Sequence, residues 1–217
     1  SIFVNPTQFN NPADFEKYPI TIEKDIDMLE AAGCDLLFLP GVNEIYPAGY
    51  QAELYDLGFL ETILDGKYRP GHFQGVCQVV DKLLSITQPG KLYLGQKDYQ
   101  QCMVIKRLAQ LKGHKTEICI NPTIREKDGL AMSSRNMRLT ANEREQALAI
   151  SRVLYYIKEN MVPGPLEPLK LQMTARLETA GFKVDYVEIA DAGNLELLRE
   201  WDGHKKIVAL VATFLNE

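Results

Sequence analysis

With 217 residues, 46% of them hydrophobic and 24% charged, the chain has the length of one large domain or two small ones and enough apolar material for a buried core. Neither the glycine period of collagen nor the apolar poverty of disordered chains is present. The 24 lysines and arginines stand against 29 aspartates and glutamates, and this net charge of −5 disfavours a general nucleic-acid binder.

The chain opens inside an apolar run, Ser1-Ile2-Phe3-Val4-Asn5-Pro6, and closes in another at residues 208–215, so both ends read as cut from a longer protein. Strands are expected at residues 2–5, 36–39, 92–94 and 117–120, each followed by a helix. Thr21 can cap the first of these helices, with Ile22, Ile26 and Leu29 on one face, Glu23 and Asp25 near its positive end, and Gly33 closing it. Val76, Val79, Val80, Leu83 and Leu84 recur at the spacing of a buried helical stripe that Pro89-Gly90 ends, and a third helix starts after Asp98. Short apolar strands alternating with amphipathic helices predict a parallel sheet covered on both faces, with ligands at the carboxyl ends of its strands.

Beyond about residue 122 the pattern changes. Residues 121–138 are polar with little periodicity, Thr140 to Glu143 forms a capping box for a long helix, and Pro163-Gly164-Pro165 leads to another helix ending near Gly181. Two late strands, at residues 184–190 and 207–215, complete a small α+β unit. The division is placed at 1–122 and 123–217.

Cys34, Cys77, Cys102 and Cys119 form no C-x-x-C, and His72, His114 and His204 form no pair at metal-ligand spacing. The cysteines read as reduced core residues. No apolar run reaches the roughly 18 residues of a membrane span, and no signal-peptide pattern stands at the start, so a cytoplasmic protein without a membrane partner is expected.

Three segments carry the chemistry. Gly95-Gln96-Lys97-Asp98 lies where a strand turns into a helix, a junction that offers unpaired N–H groups, a positive dipole end and a lysine charge to phosphates. Asp98 with Gln101 also reads as a helix capping box. Met132-Ser133-Ser134-Arg135 places two hydroxyls and a guanidinium in a polar loop able to close over a nucleotide, although such tripeptides are also ordinary solvated loops. Asn5 and Gln8 follow the first strand and suit either a polar small molecule or a turn. His72, in a loop before a buried helix, reads as holding that loop rather than as a general base. No G-x-S-x-G and no P-loop is present.

Taken together, SIFVNPTQF at 1–9, Tyr18-Pro19, RPGHF at 69–73, GQKDYQQ at 95–101 and PTIREKDGLAMSSRN at 122–136 resemble the pantoate–β-alanine ligase family. The resemblance implies a Rossmann-like nucleotidylyltransferase domain with a smaller lid domain, a homodimer, and ATP with Mg2+ as companion. It implies that pantoate is activated as pantoyl adenylate and then joined to β-alanine. Gln8 and Gln101, with Asn5, would hold pantoate. Gly95, Gln96, Lys97, Asp98, the Ile124 backbone, Met132, Ser133, Ser134 and Arg135 would bind ATP, and Lys97, Ser133, Ser134 and Arg135 would stabilise the developing phosphate charge. Asp25 would neighbour the magnesium. Two departures accompany it: the family's histidine-containing ATP motif belongs upstream of Ser1, and Gln96 stands where glutamate is usual, which removes a charge but keeps the hydrogen-bonding shape. The rival readings are another nucleotidyl-transferring enzyme of the same superfamily and a non-catalytic pantoate- or nucleotide-binding piece.

Overall fold

The structure is a computed structural model that describes residues 1–9 and 12–215. In chain order the elements are α1 (Pro12–Glu16), α2 (Ile22–Ala31), α3 (Val42–Ile45), α4 (Leu64–Tyr68), α5 (His72–Thr87), β1 (Lys91–Gly95), α6 (Tyr99–Lys112) and β2 (Glu117–Asn121). There follow α7 (Ala141–Asn160), β3 (Gly164–Pro165), α8 (Glu167–Thr179), β4 (Phe182–Asp191), β5 (Glu200–Trp201) and β6 (Ile207–Leu215). Single 3-10 turns precede α1 and α6, and another, Ser134–Arg138, precedes α7.

The stripe read from the sequence buries α5: Phe73, Val76 and Cys77 pack with Val104, Ile105 and Leu108 of α6, and Val79 and Leu84 are buried as well. β1 and β2 pair in parallel, from Lys91 opposite Glu117 to Gly95 opposite Asn121. Their carboxyl ends therefore lie level, and the chain leaves both at the same edge of the sheet. α6 forms the crossover between them and stops at Gly113, whose φ of 68° a residue with a Cβ adopts only under strain.

β4 and β6 form an antiparallel pair that serves two cores through the period of two. Tyr186, Ala190, Val208 and Leu210 join the α5–α6 core, while Val187, Ile189, Ala209 and Val211 join the core of α7 and α8, around Met173 and Leu177. Polar bonds reinforce the first contact. Tyr186 donates to Asp65 Oδ1 at 2.7 Å, and Tyr99 donates to the Ala192 carbonyl at 2.7 Å.

Three sequence expectations change. Residues 2–5 and 36–39 form no ladder among the described residues, where one backbone bond joins them, from Ile2 N to the Phe38 carbonyl at 3.0 Å. A strand needs neighbours along its length, and Leu36, 89% exposed, has none there among the described residues. Second, α2 forms where expected but buries no residue, because an apolar period fixes a helix without specifying what covers it. Third, Cys77 and Cys102 are core residues, whereas Cys34 is exposed and Cys119 half-buried. Cys34 follows Gly33, whose φ of 77° ends a surface helix, so local apolar neighbours there are no guide to burial.

Candidate active site at the sheet edge

A cleft of about 210 Å3 opens between residues 2–9, residues 18–25 and Ser134. Its lining includes Asn5, Gln8, Tyr18, Asp25 and Ser134, so residues from three of the sequence segments face one space. Gly95, Gln96, Lys97, Asp98 and Gln101 do not line it. They stand at and beyond the end of β1, at the edge from which the chain also leaves β2.

The Asn5 side chain is saturated. It is 2% exposed; its Nδ2 donates to the Gly75 carbonyl at 2.9 Å, and its Oδ1 accepts from Tyr46 OH at 2.9 Å, Thr7 Oγ1 at 3.0 Å and Thr7 N at 3.3 Å. That network folds residues 5–8 into a tight turn. Gln8, half-buried, has one long side-chain contact among the described residues, from Asn5 Nδ2 at 3.5 Å. His72 bonds its own loop through its backbone, N to the Arg69 carbonyl at 3.1 Å, while its ring Nδ1 lies 2.7 Å from the Gln8 carbonyl oxygen.

At the junction of β1 and α6, Gly95 to Asp98 are exposed, and the capping box with Gln101 is not made: Asp98 begins α6 without a side-chain cap. Lys97 pairs with Asp98 at 3.6 Å, a solvent-exposed contact that leaves the ammonium available to a phosphate. Gln101 makes no side-chain hydrogen bond among the described residues. Its neighbour Gln100, which the sequence reading passed over, is 3% exposed and saturated: it accepts from Asp65 N and donates to the Leu60 and Ile63 carbonyls. The two adjacent amides thus separate into one buried and bonded to the 60–65 segment and one, half-buried, without a bonded partner among the described residues.

The polar stretch after β2 is more ordered than its sequence suggests. It turns back on itself, with Glu126 N donating to Leu130 O at 2.7 Å, Met132 N to Ile124 O at 2.9 Å, and Gly129 at φ 95° in the bend. Ile124 and Met132, widely separated in the sequence motif, become bonded neighbours. Ser133 Oγ caps the following turn by accepting Arg135 N at 3.3 Å, and Asn136 Nδ2 donates to Ala131 O at 3.0 Å. The Arg135 guanidinium lies 5.1 Å from the ring centre of Tyr18, bridging this loop to the cleft wall. Asp25 accepts from Thr21 Oγ1 at 3.1 Å. No group of three or more histidine, cysteine, aspartate or glutamate side chains able to hold a metal occurs among the described residues.

The arrangement offers hydroxyls, a guanidinium and a lysine to phosphate oxygens, and free amides to a small polar acid. Comparisons with known proteins bear on the family and the fold. The chain is 44% identical over 219 residues to pantothenate synthetase of Cytophaga hutchinsonii, covering 100% of this chain and 77% of that one. It superposes on pantothenate synthetase of Thermus thermophilus with a TM-score of 0.88 and 35% identity, covering 98% of this chain and 81% of that one. A Francisella tularensis pantoate–β-alanine ligase, solved with β-γ ATP and β-alanine, gives a TM-score of 0.77 and 38% identity, covering 99% of this chain and 77% of that one. With the Pantoate-beta-alanine ligase family model matching residues 1–217 as well, the chain belongs to the pantoate–β-alanine ligase family and shares its Rossmann-like α/β fold.

Proposed function

We infer that the family's reaction, the ATP-dependent joining of pantoate to β-alanine, proceeds here through a pantoyl adenylate built in the cleft between residues 2–9, residues 18–25 and Ser134. The observation that carries this reading is the cleft itself, where Gln8, Asp25 and Ser134 face one another. A pantoate carboxylate oxygen attacks the α-phosphorus of ATP; the Pα–O bond to the β-phosphate breaks and pyrophosphate leaves. The β-alanine amine then attacks the acyl carbon, loses a proton, and expels AMP, which keeps the pantoate oxygen.

Neither step requires a covalent enzyme intermediate, so positioning and charge stabilisation carry the catalysis. Gly95, Gln96, Lys97, Asp98, the Ile124 backbone and Met132 hold the nucleotide. Lys97, Ser133, Ser134 and Arg135 oppose the charge that grows on the phosphates. Gln8 and Gln101 hold pantoate, with Asn5 acting mainly by shaping the turn that presents Gln8. Mg2+ suits a site of one carboxylate plus substrate phosphates, and Asp25 is the carboxylate at hand; the ion would neutralise phosphate charge.

Residues 1–122 form the substrate-binding unit and 123–217 the lid, and within the lid the closing part is the 124–138 loop, since β4 is bonded to the first core. The resemblance supports a homodimer. Four free cysteines support a cytoplasmic location, and among the described residues no helix is long and apolar enough to cross a membrane. The test is exchange of labelled pyrophosphate into ATP. Pantoate-dependent exchange is expected, and exchange that ignores pantoate, or requires another acid, would overturn the assignment.

A further inference from the structure

The RPGHF segment takes no part in the chemistry above, yet the helix it opens touches the substrate turn. Gly75 lies in the first turn of α5, and a Cβ there would collide with the Thr7 carbonyl oxygen and stand 2.9 Å from Gln8 Cα. Glycine alone lets the helix backbone meet the 5–8 turn. The Asn5 side chain crosses the same contact to the Gly75 carbonyl, and His72 Nδ1 lies 2.7 Å from the Gln8 carbonyl oxygen. A carbonyl oxygen only accepts, so the imidazole carries its proton on Nδ1. Burial first, and Arg69 second, hold the His72 ring below its ordinary value of 6.5, which keeps it neutral at pH 7. The bonded carbonyl and the reaching amide of Gln8 belong to one residue, so fixing the peptide plane fixes the direction in which the side chain leaves Cα.

We propose that His72 is a positioning residue for the acid substrate: its Nδ1 donation to the Gln8 carbonyl sets the backbone from which the Gln8 amide reaches into the cleft. The inference rests on the reading that Gln8 holds pantoate. His72→Leu removes the donor, whereas His72→Asn returns an amide N–H close to the place of Nδ1. Pantoate affinity is measured by calorimetry for the unaltered chain, both variants, Gln8→Ala and the double variant His72→Leu/Gln8→Ala, with thermal unfolding followed in parallel. If His72→Leu does not fold, His72→Gln, whose amide overshoots the Nδ1 position, takes its place.

His72→Leu is expected to weaken pantoate about tenfold, His72→Asn to recover most of that loss, and His72→Leu to add nothing once Gln8 is alanine. A general structural role would instead weaken pantoate equally in both backgrounds. Gln8-dependent affinity that His72→Leu leaves intact, or a loss that persists in the Gln8→Ala background, overturns the inference alone. Absence of pantoate binding by the unaltered chain, or affinity indifferent to Gln8→Ala, overturns the reading of Gln8 and this inference with it.

Discussion

A single carboxylate oxygen of Asp128, Oδ2, accepts both Nε (3.0 Å) and Nη2 (2.7 Å) of Arg144, tying the bend after β2 to the first turn of α7. The loop that carries Ile124 and Met132 is therefore held from outside as well as by its own backbone bonds. The Leu130 N–H first, with help from the Arg144 guanidinium, holds the Asp128 carboxyl below its ordinary 3.8, so the tie persists into acid. Arg144→Ala should raise the KM for ATP about three- to tenfold while moving the melting temperature little, because the pair is solvent-exposed. Steady-state kinetics alongside a thermal scan checks both halves.

Gln100 and Gln101 are adjacent, and their substitutions should separate stability from binding. Gln100→Leu leaves the Asp65 N–H and the Leu60 and Ile63 carbonyls without their partner, a loss of about 3 kcal/mol by urea unfolding. Gln101→Ala, which breaks no such bond, should stay within about 0.5 kcal/mol and weaken pantoate about tenfold.

Gly75→Ala forces a methyl against the Thr7 carbonyl, and helix and turn must part. About 1–3 kcal/mol of stability should be lost. The pantoate KM should rise more than the ATP KM, since the displaced turn presents Gln8.

His72 gives stability a definite pH dependence. Its folded-state value lies below 6.5, so between the two values the unfolded chain binds more protons than the folded one. Its contribution is therefore full above pH 6.5 and is lost as pH falls through the folded value. The groups acting on the ring are Arg69, which lowers its value, and the Gln8 carbonyl, Asp65 and Asp98, which raise it. Urea unfolding from about pH 8 to about pH 5 should show the unaltered chain losing its advantage over His72→Asn as pH falls. An advantage that grows toward acid pH would contradict the assignment of a neutral ring.

Much of this was legible before the fold was known, where local physics decides. The α5 stripe at Val76, Val79 and Leu84 is buried, the Thr140–Glu143 box caps α7, and the strands near 92–94 and 117–120 pair with their carboxyl ends level. What stayed hidden depends on distant partners. No period could say that Gln100 is buried and bonded while Gln101 is only half-buried, since what covers this face of α6 is set by the Leu60–Asp65 segment some 35 to 40 residues earlier. Nor could spacing join His72 to Gln8, 64 residues apart. The double duty of β4 and β6 was also invisible, because two apolar faces of one strand look like a single apolar run. Gly75 was the one available signal of the turn contact: a glycine inside an otherwise good helix points to close backbone approach.

The most direct test of the account follows one oxygen. Pantoate labelled with 18O in its carboxylate is turned over with ATP and β-alanine, and the phosphorus products are examined by mass spectrometry. Attack on the α-phosphorus followed by aminolysis predicts one 18O in AMP and none in pyrophosphate. Label in inorganic phosphate with formation of ADP, or AMP free of label, would contradict the pantoyl adenylate.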